Sequence, residues 1–308
     1  MRKFLPFLFA AALASSCIDN AYDVSNVNTD DVTIGDEDSE YRLPLATVYV
    51  SMSELNEGGA DIKTLFDEAD IWLPSPLPGN AAYVDLRELQ NTPETITPLL
   101  DALIDQMMDD DAKITAVADL LAEKYLSTFL PLLPPNTDPA DFKPVFIEAF
   151  RNMPMLHDRL SGEVKSLAGS YLTELKVQDV TYDIGKIDIG GDVVDMLCEN
   201  LDSEGTPNPK NTLHLYGSIT SALPVSLRLV PYFSPTNVRF DVTVEPGKTN
   251  EIRETQLFES DLRQIIEGAE IILPVSLEKY YPGYDFTSDQ QIVITLRLIK
   301  RGGLKLNL

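Results

Sequence analysis

Apolar side chains in the C-terminal part of the sequence recur at every second position. Between residues 213 and 229 they occupy odd positions, while polar residues such as His214, Tyr216 and Ser218 occupy even ones. A period of two is that of a β-strand, whose successive side chains point to opposite faces. Strands with one apolar and one polar face are typical of antiparallel sheets that expose one face to water. The apolar residues of this run are Leu213, Leu215, Ile219, Leu223, Val225, Leu227 and Leu229.

The same alternation predicts further strands, which lie around residues 180–189, 238–244, 271–277 and 292–298. Near the start, Arg42–Met52 alternates as well, but its phase changes and so predicts a β-bulge near Ala46-Thr47.

The end of the chain repeats the register of the last of these strands. Leu304, Leu306 and Leu308 keep the even-position phase of Ile292–Leu298 across Gly302-Gly303. Because a shift of two residues preserves the face, we predict that all three leucines lie on one continuous buried face.

The middle of the sequence has a period of 3.6, which is that of an amphipathic helix. Asp109-Asp110-Asp111, Pro134-Pro135 and Pro154 interrupt the pattern and divide it into segments. Thr92-Pro93 and Asp138-Pro139 each offer an N-cap followed by a first-turn proline. The sequence therefore predicts four helices, at about 94–108, 111–131, 140–152 and 155–175.

Together these patterns predict an α+β fold. We expect an antiparallel β-sandwich-like body with long alternating strands and a four-helix insert. The body should span residues 41–308, with the insert at about 92–175 and a β-rich core at about 176–308.

The N-terminus has the pattern of a bacterial lipoprotein signal. Two basic residues precede an apolar run, residues 4–13, and three small residues precede Cys17. The run is shorter than the roughly 20 residues that a membrane-spanning helix needs. We predict that residues 1–16 are removed and that Cys17 is acylated, with residues 17–40 as an acidic, extended spacer. A non-lipid secretory signal and a buried N-terminal helix are the alternatives.

The charge of the chain restricts its partners. Removing residues 1–16 takes away two basic residues and no acid, so the formal net charge changes from −25 to −27. Nucleic acids and anionic membrane surfaces both select positive patches. We therefore expect no nucleic-acid partner, and contact with a membrane only through the lipid on Cys17.

The sequence offers no recognisable catalytic or cofactor site. The two histidines, His157 and His214, are far apart, and no zinc or iron ligand spacing occurs, so we predict no metal. No nucleophile elbow, Walker loop or dinucleotide fingerprint is present. Cys198 lies at helical spacing with apolar residues, which favours a buried free thiol over a nucleophile. We predict a non-enzymatic protein without a cofactor.

The best candidate for recognition is an aromatic turn, residues 280–286, between two predicted strands. Its aromatic residues are Tyr280, Tyr281, Tyr284 and Phe286, around Pro282-Gly283. Rings that face solvent can stack on a sugar ring or bind a partner protein. In the alternative interpretation, which we favour, the rings pack over the sheet, because aromatics that flank turns commonly pack locally.

One short sequence occurs twice. Residues 223–227 and 273–277 both read Leu-Pro-Val-Ser-Leu, each within an alternating strand. A duplication of one hairpin would explain the repeat. Convergence is the alternative, because both strands need a proline where the backbone donor faces away from its neighbour, as at an edge or bend.

Three stretches together carry a resemblance: residues 17–23 (CIDNAYD), 30–36 (DDVTIGD) and 301–306 (RGGLKL). They resemble uncharacterised outer-membrane lipoproteins of anaerobic gut Gram-negative bacteria. The resemblance implies a lipid anchor in the outer membrane, on either the periplasmic or the cell-surface face. The family has no established activity or catalytic residues, so the resemblance implies none here.

Three functions remain open from the sequence. The first is a non-enzymatic protein with a binding, adhesive or structural role, whose ligand is a glycan, a lipid or a protein. The second is a carrier of an apolar ligand between helices and sheet, similar in layout to the bactericidal/permeability-increasing proteins. The third is a hydrolase. A solid core with exposed aromatics would favour the first, a large apolar cavity the second, and a cleft with converging carboxylates the third.

Overall fold

The structure is a computed structural model that describes residues 32–56, 61–177, 179–236 and 238–306. The predicted signal peptide, the lipidation site at Cys17 and Leu308 lie outside the described residues. Within these ranges no helix is both long enough and apolar enough to cross a membrane.

The strands of the described chain form four antiparallel sheets. In chain order they are β1 (Val32–Ile34), β2 (Glu40–Ser51), β3 (Val84–Asp85), β4 (Val180–Asp183), β5 (Thr212–Ser221), β6 (Val225–Leu229), β7 (Tyr232–Ser234), β8 (Val242–Val244), β9 (Thr249–Leu257), β10 (Glu270–Leu273), β11 (Val275–Tyr280), β12 (Gln291–Arg301) and β13 (Leu304–Leu306). The sheet orders are β2–β12–β5–β9, β3–β11–β6–β8, β4–β10–β7 and β1–β13.

Most of the helices lie between β2 and β4. In chain order the helices are α1 (Met52–Asn56), α2 (Ile62–Trp72), α3 (Leu86–Asn91), α4 (Thr97–Asp109), α5 (Asp111–Lys124), α6 (Leu126–Phe129), α7 (Phe142–Asn152), α8 (Pro154–Glu174), α9 (Gly191–Cys198) and α10 (Glu259–Gly268). The predicted α+β class with antiparallel sheets is confirmed.

The β2–β12–β5–β9 sheet follows the alternation of the sequence. Val48 pairs with Ile294, which pairs on its other side with Ile219, and all three are buried. The register between β2 and β12 shifts where Ala46 and Pro44 face successive residues, so that Leu45 is the extra residue of a bulge. The bulge predicted near Ala46-Thr47 therefore lies one residue earlier.

The helices form where the 3.6 period indicated them, and the helical region also extends further towards the N-terminus. Asp110 is the N-cap of α5, because its carboxylate accepts hydrogen bonds from the backbone N–H groups of Ala112 and Lys113. The acidic cluster thus ends one helix and begins the next. The additional helix α2 is capped in the same way by Asp61 and buries Phe66 and Trp72.

The two ends of the described chain meet in a small separate sheet. Gly302 has a φ of +83°, and after it Leu304–Leu306 pair with β1 and do not extend the large sheet. The prediction of one continuous buried face is therefore wrong, although Leu304 itself is buried. Residues 32–34, which the sequence assigned to an extended spacer of residues 17–40, form a strand of this sheet.

A single continuous core joins the helices to the sheets. Buried residues of α2, α5, α7 and α8 belong to the same cluster as the buried faces of β5, β11 and β12. Phe66 of α2 contacts the end of β11 directly, since its ring centroid lies 4.7 Å from that of Tyr280. The aromatic turn therefore packs on the core through the contact of Tyr280 with Phe66.

Candidate functional site

The aromatic turn connects β11 to β12. β11 ends at Tyr280, and Pro282-Gly283 then reverses the chain with a φ of +81° at Gly283, a conformation that glycine adopts without strain. The side chain of Gln290 stabilises the far side of the turn by two hydrogen bonds. Its amide oxygen accepts from the backbone N–H of Thr287, and its amide nitrogen donates to the carbonyl of Asp285.

Two of the four predicted aromatics of the turn are buried. Tyr280 and Phe286 are only 1% and 3% exposed. Both rings pack on Phe66, with centroid distances of 4.7 and 4.8 Å, and Phe286 stacks nearly parallel to it. For these two residues the structure agrees with the packing interpretation.

The other two aromatics face outward. Tyr284 is 65% exposed and Tyr281 is half-buried. The ring of Tyr281 lies 5.6 Å from that of Tyr83, a further exposed tyrosine, and the ammonium of Lys279 lies 4.7 Å above the Tyr83 ring. We call Tyr83, Tyr281 and Tyr284 the tyrosine surface.

A cleft of about 360 Å³ adjoins this surface. It is lined by Tyr281, Tyr284, Asp285, Pro224 and Pro246, among others. The backbone N–H of Tyr281 donates to the carbonyl of Pro224 at 3.4 Å, and both residues line the cleft. The arrangement combines aromatic faces, proline rings and one carboxylate, which suits the binding of a ligand that has both an apolar face and hydroxyl groups.

The repeated Leu-Pro-Val-Ser-Leu segments pair with each other. β6 and β11 are antiparallel neighbours, with Leu227 opposite Leu277. The carbonyls of Pro224 and Pro274 accept symmetrically from Tyr281 and Val230 at the two ends of this ladder. Each proline lies where the chain leaves one sheet and enters the next, which agrees with the bend that a proline was expected to mark.

A buried polar cluster lies beside the turn. The ammonium of Lys113 donates to the carbonyls of Asp70 and Leu73 at the end of α2, where it complements the helix dipole. Burial lowers the pKa of Lys113 to about 8 and raises the pKa of the Asp70 carboxyl, which the Tyr280 hydroxyl partly stabilises by a hydrogen bond. Lys113 thus caps the last carbonyls of α2, whereas one carboxylate oxygen of Asp70 is buried without a hydrogen-bond partner among the described residues.

The other titratable candidates are engaged in packing. Nδ1 of His157 lies 2.7 Å from the carbonyl of Phe150, and His214 contacts Arg301 through Nδ1 at 3.2 Å. Burial raises the pKa of the Cys198 thiol to about 11, so that it stays protonated at neutral pH. Within the described ranges no group of three or more His, Cys, Asp or Glu residues is arranged to hold a metal ion.

Sequence reasoning did not identify Tyr83 as part of the surface. It lies about 200 residues before Tyr281, next to the two-residue strand β3, and only the pairing of β3 with β11 brings the two rings together. Neither spacing nor composition could have indicated this pairing.

No protein-family model and no curated protein matches the chain. Among solved structures, it is similar to a crystal structure of a protein from Parabacteroides distasonis ATCC 8503, provisionally described as secreted. The two share 18% identity with a TM-score of 0.30, and the match covers 41% of this chain and 38% of that protein. At this TM-score the likeness supports no statement about a shared fold or activity.

Proposed function

We propose that the chain is a lipid-anchored outer-membrane protein of a Gram-negative bacterium that binds a ligand, without catalysis, at the tyrosine surface. The observation that carries the proposal is the 65% exposure of Tyr284 beside Tyr281 and an adjoining cleft. Exposed aromatic rings next to a cleft are typical of binding sites. The buried side chains of Tyr280 and Phe286 hold the turn in one conformation, so that less conformational entropy is lost when a ligand binds.

The packing of the core favours this function over an apolar-ligand carrier. A carrier needs an enclosed apolar cavity between helices and sheets. In the part of the chain that the structure describes, helices and sheets share one continuous core, and the clefts lie at the surface. The engagement of Cys198 and both histidines in packing or hydrogen bonds disfavours a hydrolase that would use one of these side chains as its nucleophile or base.

The binding site can be tested with the double variant Tyr281→Ala/Tyr284→Ala. The full-length protein in detergent would be applied to an array of glycans and host cell-surface proteins. We expect wild type to bind at least one member that the double variant does not bind. Since Tyr284 is exposed and Tyr281 is half-buried, the melting temperature should fall by no more than about 4 °C.

The matched control is Tyr49→Ala, which removes a 54%-exposed tyrosine from β2 in a different sheet. It should bind the array as wild type does. Equal binding by wild type and the double variant would place the site elsewhere. A double variant that loses binding only because it has unfolded would be recognised by its melting curve.

The lipid anchor is tested separately with Cys17→Ala. Cells that express either protein would be labelled with radioactive palmitate and fractionated. We expect label on the wild-type protein in the membrane fraction and none on the variant, because only the cysteine after the cleavage site can be acylated. Equal label on both proteins would exclude Cys17 as the anchor.

A further inference from the structure

A second cleft continues the tyrosine surface. It has a volume of about 490 Å³ and is lined by Leu77, Ala82, Tyr83, Glu88 and Leu99, among others. Tyr83 lines this cleft and contacts Tyr281, which lines the first one. The three tyrosine rings therefore connect two neighbouring clefts, and a ligand longer than one ring can contact both.

The carboxylates around the two clefts disfavour an anionic ligand. Asp285 in the first cleft and Glu88 in the second are exposed carboxylates. The ammonium of Lys279 is shared between the Tyr83 ring at 4.7 Å and the Glu245 carboxylate at 3.9 Å. Carboxylates accept hydrogen bonds from hydroxyl groups and repel anions, and the formal net charge of −25 adds to that repulsion.

The sheet edge at this surface does not suit an extended peptide. Peptides commonly bind by adding a strand to an exposed edge, which requires a row of free backbone groups. The edge strand here, β3, is only Val84–Asp85. A ligand at the tyrosine surface would therefore be bound mainly by side chains and not by hydrogen bonds to the backbone of β3.

From these observations we infer that the ligand is a neutral glycan chain that lies across Tyr284, Tyr281 and Tyr83 and occupies both clefts. The inference rests on the proposed function and adds the class of ligand. The apolar C–H face of each sugar ring stacks on a tyrosine ring, and the hydroxyl rim donates hydrogen bonds to Asp285 and Glu88.

The test measures the affinity of the full-length protein in detergent for defined saccharides by calorimetry. The panel contains neutral hexasaccharides of glucose, xylose and mannose, the matching disaccharides, and a hexamer of galacturonic acid. We expect a neutral hexasaccharide to bind at least tenfold more tightly than its disaccharide, because only the longer chain reaches both clefts. The galacturonic acid hexamer should bind more weakly than the neutral one.

Variants of Tyr83 distinguish stacking on the ring from a contribution of the tyrosine hydroxyl. Tyr83→Ala should weaken hexasaccharide binding about tenfold and disaccharide binding by a smaller factor, while Tyr83→Phe, which keeps the ring, should bind as wild type does. Tyr284→Ala should weaken the binding of both the hexasaccharide and the disaccharide. The melting temperature of each variant is measured in parallel, so that unfolding is not mistaken for lost binding.

The outcomes distinguish the inference from the proposed function. If no neutral hexasaccharide binds, or if the acidic hexamer binds more tightly, the glycan inference fails, and the proposed function stands or falls with the array experiment. If Tyr281→Ala/Tyr284→Ala abolishes hexasaccharide binding but Tyr83→Ala has no effect, the two-cleft arrangement is wrong while the site is right. Hexasaccharide binding that the double variant retains would overturn both.

Discussion

Neighbouring aromatic residues of the turn differ in burial because of strand geometry. Tyr280 is the last residue of β11 and points into the core, so Tyr281 points to the opposite side. The packing interpretation therefore holds for Tyr280, whereas recognition remains a prediction for the outward-facing rings. The composition of the turn indicated a cluster of aromatic residues, but it could not predict which rings are buried and which are exposed. That difference depends on Phe66 and Tyr83, which only the tertiary fold brings near.

Because two lysines are buried, we predict that the free energy of unfolding rises with pH above pH 8. Burial lowers the pKa of Lys113 and of Lys300 from 10.5 to about 8. Between pH 8 and 10.5 the unfolded chain binds more protons than the folded chain, so the free energy of unfolding rises with pH. We expect a rise of about 1 kcal/mol for each lysine between pH 8 and 9. Below pH 8 the full cost of burying both charges is present.

Urea unfolding of the full-length protein at pH 7.5, 8, 8.5 and 9 measures this rise. The range ends at pH 9 because burial raises the pKa of the Cys198 thiol from 9.0 to about 11, so that the thiol increasingly opposes the rise as the pH passes its ordinary value. Lys300→Met should remove about half of the rise, and Lys113→Met the other half. A wild-type stability that stays constant or falls across the range would contradict the depressed pKa values.

At the scale of elements, the sequence predicts those whose period is strong and local. The alternation of β5 and β12 and the apolar stripes of α4, α5, α7 and α8 are set by burial on one face. The sequence did not predict α2, β1 or the change of sheet at Gly302. These depend on partners distant in sequence: β1 forms against β13, and α2 is held by the core. Local pattern contains no information about such partners.

Alanine substitutions at two glycines should change the stability of the protein in opposite directions. A Cβ at Gly217 would lie 1.9 Å from the carbonyl oxygen of Thr295 in the paired strand, so Gly217→Ala must separate β5 from β12. We expect a loss of about 3 kcal/mol or more in the free energy of unfolding. Gly162 is exposed within α8, and a Cβ there meets nothing within 4 Å. Gly162→Ala should therefore stabilise the protein by about 0.5–1 kcal/mol.

Chemical denaturation of both variants at one pH measures the two effects. Each glycine variant serves as the control of the other, because the chemical change is identical and only the surroundings differ. Equal effects of the two substitutions would mean that the close contact between β5 and β12 is absent.

At the scale of the whole molecule, the order of the chain makes folding depend on distant contacts. β2 pairs with β12, and Val50 and its partner Ile292 are about 240 residues apart. All ten helices of the described ranges lie between these strands. The sheet cannot close before the intervening chain has become compact, so we expect slow folding compared with proteins dominated by local contacts.

The continuous core predicts that helices and sheets unfold together. Trp72 is the single tryptophan and is fully buried in α2, so its fluorescence reports on the helical region. Far-ultraviolet circular dichroism reports on the whole backbone. In urea we expect both signals to change at the same concentration, because the Phe66 ring joins α2 to the aromatic turn and separation of the two regions would expose shared apolar surface.

Phe66→Ala should lower both midpoints equally, corresponding to a loss of about 3–5 kcal/mol in the free energy of unfolding. If the fluorescence of Trp72 changed at a lower urea concentration than the dichroism, the helical region would be an independent unit. Support for the tyrosine surface would then have to come from the sheet alone, since a helix layer that unfolds by itself could not hold Tyr280 and Phe286 in place.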